Sequence, residues 1–518
     1  MMDLAKSIRI AEAPKKGSRQ AGIVPTRYVF ALASFFGMLH LYALRVNMSV
    51  AIVAMVNSTS IAIRNQTLTA STEKSYGTTC PLPVAMPLIH GVLASNGEFN
   101  WNGTVRGVVL GSFFYGYIFT CYLGGWLAIR CGGKHVFGFS VLFGGVLTLC
   151  IPWAARTHYG VLIAVRVLQG IINGVCFPAM ETLISSWSPS EERTKFIGFI
   201  FSGMHIGMML MFAVSGYLIS LWGWPSIFYV FGVSACLWFA IWTLYIYETP
   251  FAHPDISSVE LELITKDAQN SEPEQRSPLP WWKPLTSVPF LAAAIAHFGG
   301  NWGFVTLLTN LPTYLHEILH FSLKSNGLLS ALPYLAVTIC IQIFSIASDW
   351  LRQRGYMSTT NVRKVTQMIG LLSPAACLVG VGCTCDAYMA VTLLVVGVGL
   401  SGAAFAGIKA NFIDLAPKYA GLLLGMSTTT AMLPGIVAPY AIGVLTGGPH
   451  GQTMENWRVV FYITAASSTL AAVVYCIFGS GEQQPWDQPQ LQLGENTCDF
   501  CCEAHDKQKP GDEGVSRC

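Results

Sequence analysis

Two arginines stand where arginine is costly. Arg45 lies deep in an apolar stretch that begins near Tyr28, and Arg166 lies in another, Val161 to Trp187, with Gln169, Asn173 and Glu181. A charge at the centre of a bilayer costs roughly 3 kcal/mol or more, so it persists only facing a partner or a water-filled cavity. A guanidinium donates two parallel hydrogen bonds to a carboxylate or phosphate, which makes anion capture the chemistry these residues suit. On a helix, Arg166, Gln169, Asn173 and Glu181 fall within about 120° of arc and form one polar stripe. The stripe reads as the lining of a pathway. Snorkelling from a helix end would also suit Arg166 and Glu181, and a place near the membrane rim would suit Arg45; the sequence alone leaves both open. Tyr42, a turn from Arg45, and Tyr115 join the candidate anion-binding set, as do His297 and Asn301, which share a helix face four residues apart.

Such a stripe needs a membrane around it, and the composition supplies one. Of 518 residues 53% are hydrophobic and 11% charged, where a soluble domain carries about 25% charge; the mean hydropathy is +0.50. The net charge of +3 is too small to suggest nucleic acid. Neither a phosphate-cradling loop nor a dinucleotide fingerprint appears, and no span pairs a nucleophile with a base or clusters metal ligands. Neither an enzyme nor a cofactor is expected.

Apolar spans of about 20 residues are marked at 28–56, 104–129, 135–154, 160–187, 196–221 and 226–247, then at 285–311, 325–347, 365–384, 387–413, 419–445 and 458–480. The fold class expected is all-α: twelve transmembrane helices in two six-helix bundles, 28–247 and 285–480, joined by the polar linker 248–284. Residues 1–27 are basic with no apolar core, so they read as a cytosolic tail rather than a signal peptide, and 481–518 as a second tail. Lys and Arg gather in the N-terminal tail and in alternate connections, which places both termini in the cytosol. The opposite side carries the polar loop 57–103 with the sequons at Asn57, Asn65 and Asn102, expected to be glycosylated. The halves echo each other, Trp224, Phe228 and Tyr229 recurring as Trp457, Phe461 and Tyr462, and Tyr115 pairing with Tyr334. A doubled six-helix unit is the pattern of transporters that rock two bundles around a central site.

With these pieces the sequence resembles the major facilitator superfamily, and within it the anion:cation symporter family of sialin, the type I sodium/phosphate cotransporters and the vesicular glutamate transporters. The resemblance is carried by Tyr42-Ala-Leu-Arg-Val-Asn-Met-Ser-Val50, Leu110-Gly-Ser-Phe-Phe-Tyr-Gly-Tyr117, Arg166-Val-Leu-Gln-Gly170, Phe177-Pro-Ala179, Gly223-Trp-Pro225, His253-Pro254-x-Ile256-Ser257 and Asn301-Trp302 on to Leu311-Pro-Thr-Tyr314. It runs from about Arg27 to about Gly481. It implies a symporter of small organic anions, such as sialic acid, with inorganic phosphate as the alternative substrate and an anion channel or uniporter as a more distant one. It also implies roles for Arg45 and Arg166 in substrate recognition or gating, a proton or sodium ion as the coupling partner, a functional monomer, and a lysosomal, vesicular or plasma membrane location.

The departures from the family are as informative. Sialin-like members carry acids where Gln169 and Asn173 stand, so these two coupling positions cannot titrate here. Glu181, at a position that is histidine in several relatives, is the candidate replacement, because burial in an apolar cavity pushes a carboxyl towards protonation near neutrality. The superfamily's acidic clamp between spans 2 and 3 is replaced by Ile129, leaving Arg130 and Asp349 as the gating candidates. The arginine and histidine of the glutamate branch are absent, Gly300 and Leu110 standing in their places. His205 reads as a packing residue, and Lys409 and Asp414 as an ion pair or snorkelling residues near a helix end. The tail cysteines Cys498, Cys501 and Cys502 with His505 have zinc-like spacing, but no metal is expected.

Overall fold

A computed structural model describes residues 24–57, 97–121, 123–189, 192–270, 282–447 and 451–487. Within these residues all regular structure is helical apart from one parallel bridge between Val56 and Phe99. The first six spans are Thr26–Met55, Gly103–Cys121 continued by Leu123–Cys131, Gly133–Thr157, Tyr159–Asn173 continued by Cys176–Trp187, Arg193–Trp222 and Pro225–Tyr245. The second six are Val288–Glu317, Leu323–Gln353, Thr359–Cys383, Ala387–Leu400 continued by Phe405–Lys409 and Ala410–Leu415, Ala420–Ala431 continued by Pro434–Thr446, and Met454–Phe478. Eleven helical stretches are long and apolar enough to cross a membrane, and the second span, Gly103–Cys121 with Leu123–Cys131, makes the twelfth.

Three spans are interrupted, each for a local reason. Pro178 has no N–H and its ring would crowd the carbonyl four residues back, at Gly174, so the fourth span breaks between Asn173 and Cys176. Pro434 opens the second segment of the eleventh span and separates it from Ala431. The tenth span loosens after Leu400 and winds into a π turn at Phe405–Lys409, a form that recurs at functional sites.

Helix direction alternates, so every span joins a terminal face, where residues 24 and 487 lie, to a loop face, where residues 57 and 97–102 lie. On the loop face the halves are in close contact. A Cβ added to Gly107 of the second span would stand 2.3 Å from the carbonyl oxygen of Pro439 in the eleventh, and one on Gly327 of the eighth 2.7 Å from that of Phe212 in the fifth. Only glycine admits backbones that close. Arg106 of the second span and Glu317 of the seventh add an ion pair across the halves at 3.7 Å. On the terminal face, no ion pair within 4 Å joins the halves among the described residues. The bundles meet on the loop side and part on the terminal side.

Carboxylates hold the helix ends on the terminal face. Glu260 of the linker helix Ser258–Asn270 accepts hydrogen bonds from the backbone N–H groups of Thr26 (3.0 Å) and Arg27 (2.9 Å), and Glu248 does the same for Gly133 and Lys134. Each satisfies orphan N–H groups and complements the positive end of a helix dipole. The linker therefore carries a helix docked on the first bundle.

Candidate anion-binding site

Arg45 and Arg166 come together. Their exposures are 6% and 2%, and both guanidinium carbons lie 5.3 Å from the centroid of the Phe113 ring. Neither forms an ion pair with a carboxylate among the described residues. Arg45 is caged by rings, at 5.3 Å from Tyr42, 4.8 Å from Phe114 and 5.2 Å from Tyr117. Its Nη1 donates to the Tyr42 hydroxyl at 3.4 Å and its Nη2 to the Met432 sulfur of the other half at 3.6 Å, while its Nε has no partner. Arg166 donates from Nη2 to the Arg45 carbonyl (3.2 Å) and from Nη1 to the Gln169 side-chain oxygen (3.1 Å), its Nε also being unpartnered. Gln169 is held in that orientation by its own Nε2, which donates to Thr148 Oγ1 (2.8 Å) and the Gly144 carbonyl.

Aromatic faces stabilise a cation by about 0.5–2 kcal/mol, but a buried charge without a counter-ion costs several. The arrangement is incomplete until an anion enters. Space for one opens between the halves, in a narrow crevice lined by Arg45, Ser49, Leu110, Arg166, Leu308 and Thr309 among others. It admits little more than a water, so a larger guest requires the halves to move, with Met432 among the groups to be displaced from Arg45.

The other predicted residues divide. Gln169 and Asn173 are buried beside the pair, with the Asn173 oxygen unpartnered. Asn301 donates to the Ala431 carbonyl at the break in the eleventh span, just before Met432, and His297 bonds the Ser427 hydroxyl at 2.9 Å. They fix the helix that roofs the site rather than touching the arginines. Tyr115 is half-buried on the flank of the second span turned towards Tyr440, outside the cage, whereas its neighbours Phe113, Phe114 and Tyr117 form it. The Leu110–Tyr117 motif contained these rings, but the phase of the helix decides which face Arg45.

Arg130 and Asp349 are both exposed and unpaired with each other, Arg130 lying over Trp126 and Asp349 reaching Arg352 of its own helix at 3.5 Å. Asn57 and Asn102 sit on the loop face, where Asn102 Oδ1 accepts from Val105 N; Asn65 and the tail cysteines lie outside the described residues. Asp414 pairs with Arg363 at 2.6 Å, not with Lys409. Lys409 instead turns inward from the π turn, its Nζ 4.1 Å above the Phe405 ring, on which His205 packs edge-on at 5.4 Å. It faces Glu181, an exposed residue of the first half, and each is the opposite charge acting on the other. The break at Gly174 takes Glu181 off the buried stripe of Arg166, Gln169 and Asn173.

A two-bundle membrane protein with a cationic crevice between lookalike halves defines a secondary transporter, and the comparisons with known proteins agree. Residues 48–439 match the model of the Major Facilitator Superfamily. Sialin of Homo sapiens is 40% identical over 461 residues, 89% of this chain and 90% of that protein. A provisionally named inorganic phosphate cotransporter of Drosophila ananassae is 37% identical over 491 residues, 93% and 95% of the two chains. Among solved structures, a bacterial homolog of the human lysosomal transporter Spinster shares the fold at a TM-score of 0.62 and 14% identity, over 88% of this chain and 97% of that one. The chain belongs to the Major Facilitator Superfamily, and within it to the anion:cation symporter family that includes sialin. It is a multi-pass membrane transporter of small molecules and not an enzyme.

Proposed function

We propose that this transporter is a symporter of small organic anions, acidic sugars such as sialic acid or related carboxylates, working by alternating access with its termini in the cytosol. The observation that carries the reading is the pair of buried guanidiniums that share the Phe113 ring and have no carboxylate partner among the described residues. Two forked donors present a divided anionic group with the hydrogen bonds that water would otherwise give it. Glu181, accessible from the terminal-side space, is the coupling carboxyl, and a proton is favoured over sodium because a lone carboxylate supplies one ligand where a hard cation takes about six. Sialin's substrate class comes first because that relative is the most similar of those above. Leu110 lining the crevice and Gly300 in the seventh span remove the histidine and arginine of the glutamate branch.

Inorganic phosphate is the second reading, favoured by Gln169 in place of a carboxylate, since its amide oxygen satisfies Arg166 without cancelling the charge that a dianion needs. The reading also takes the functional unit as one chain in a lysosomal, vesicular or plasma membrane. Uptake of labelled sialic acid, phosphate, glutamate and urate into proteoliposomes, under separate proton and sodium gradients, tests it. The expected result is uphill accumulation of a carboxylated sugar driven by protons. Equilibration without accumulation would mark a uniporter or channel, and phosphate uptake alone the second reading.

A further inference from the structure

Two cross-half charge pairs bracket the arginines. Arg106 and Glu317 stand on the loop side, at the ends of the second and seventh spans, and touch at 3.7 Å. Glu181 and Lys409 stand on the terminal side; along the fourth span Glu181 is about 22 Å from Arg166 at 1.5 Å per residue. Their charges are arranged in the opposite sense. The first half supplies Arg106 and Glu181, the second Glu317 and Lys409. In the present conformation the loop-side pair is made, while Glu181 and Lys409, close enough for each to feel the other's charge, form no ion pair within 4 Å among the described residues.

The surroundings of Lys409 fit a partner held ready. The π turn points it off the ordinary helical face, and Phe405 gives the ammonium a resting place over its ring. Behind the turn, Arg363 donates to the Ala406 carbonyl at 2.7 Å and is neutralised by Asp414, so the nearest fixed charges are already matched. The titratable groups facing Lys409 are Glu181 of the fourth span, His205 of the fifth and His297 of the seventh; Cys121 of the second faces Glu181.

We propose that Glu181 and Lys409 form the terminal-side lock of the transport cycle, closing when Arg106 and Glu317 part, and that Lys409 is the residue through which a proton on Glu181 releases the terminal face. The coupling half of this rests on the reading of Glu181 as proton carrier; the lock itself does not. With the terminal face shut, the ionised carboxylate meets the ammonium in a dry interface, where the attraction is strongest. A proton taken up by Glu181 removes the carboxylate charge while Lys409 keeps its own proton. The lock loses its attraction, the face opens, and proton and anion leave on the same side. Re-ionised Glu181 lets the face shut again. The lock occupies the role left vacant where Ile129 replaces the superfamily's acidic clamp.

Hydrogen–deuterium exchange on the full chain in lipid nanodiscs tests this, with proton-driven uptake as the second readout. Glu181→Gln and Lys409→Gln should each speed backbone exchange in the terminal halves of the fourth and tenth spans and slow it at residues 103–110, while Arg106→Gln should do the reverse. Glu181→Lys or Lys409→Glu alone should speed terminal-face exchange as the glutamine variants do, and the two together should restore the wild-type exchange pattern, whereas proton-driven uptake, which needs the carboxyl at position 181, should fall at least about tenfold in every Glu181 variant. Exchange unchanged in both glutamine variants, or a charge swap whose exchange stays as fast as that of Lys409→Glu alone, would overturn the lock. Should the swapped protein not fold, the glutamine variants decide. The exchange readout needs no substrate, so it stands or falls separately from the anion reading, which wild-type uptake decides.

Discussion

A guanidinium buried without a carboxylate leaves its positive charge uncompensated, and here two of them share one ring. Replacing either arginine should therefore remove binding more than folding. Arg45→Gln and Arg166→Gln are each expected to lower substrate affinity at least about a hundredfold, since losing one member of a buried charge-assisted contact costs about 2–5 kcal/mol, while the purified variants keep their melting temperatures. Equilibrium binding of labelled substrate beside a thermal melt checks both. Gln169→Glu is a sharper probe, because its carboxylate would stand where the amide oxygen now lies, 3.1 Å from Arg166 Nη1. It should weaken anion binding about tenfold at pH 7 through competition for the guanidinium. Binding should recover as the pH falls and the new carboxyl takes a proton, and a pH titration of binding reads this.

At the scale of elements, closure of the loop face depends on backbone contact between the second and eleventh spans. Gly107→Ala puts a methyl 2.3 Å from the Pro439 carbonyl, which costs about 1–3 kcal/mol unless the helices separate. Faster hydrogen exchange at residues 103–110 and reduced uptake are the expected outcomes. On the same face Glu98 ties the segment before the second span to the rest: Arg156 donates to it at 2.8 and 3.3 Å and Trp224 at 3.1 Å. The hydrogen bond from Arg156 holds the Glu98 carboxyl below its ordinary value. A folded-state value below the unfolded one adds stability above the unfolded pKa and loses it as the pH falls through the lowered one. The tie should thus persist through the pH range where an ordinary glutamate takes up its proton and fail only in more acid solution. Because the pair is 41–50% exposed, Glu98→Gln should lower the melting temperature by only about 1 °C at pH 7, with the difference vanishing towards pH 3.

Most of these elements were legible in the sequence. Twelve apolar lengths and the polar linker announce the bundles, because lipid demands long uninterrupted runs whatever the tertiary contacts. Arg45 and Arg166 were legible for the same reason, standing out against apolar neighbours. What escaped was helix phase. The break at Gly174 and the π turn at Phe405–Lys409 each shift the faces that follow, and a regular 3.6-residue period carries no trace of either. Lys409 thus reads as a helix-end residue partnered by Asp414, whereas the structure turns it to the central space and gives Asp414 to Arg363. Likewise Tyr115 was singled out where Tyr117, two residues on, is the ring that meets Arg45.

For the whole molecule, the loop side is sealed by glycine contacts and an ion pair, the terminal side is unsealed, and the arginines lie between. This is one end of an alternating cycle, and it predicts that anion bound to the arginines is released to the terminal face. Uphill uptake of labelled sialic acid into proteoliposomes under an imposed proton gradient tests the central claim most directly, comparing wild type with Arg45→Gln and Arg166→Gln. Accumulation above the external concentration by wild type, abolished in both variants, is the result expected. Wild-type accumulation that persists when either arginine is gone would contradict the assignment of the paired guanidiniums as the anion site.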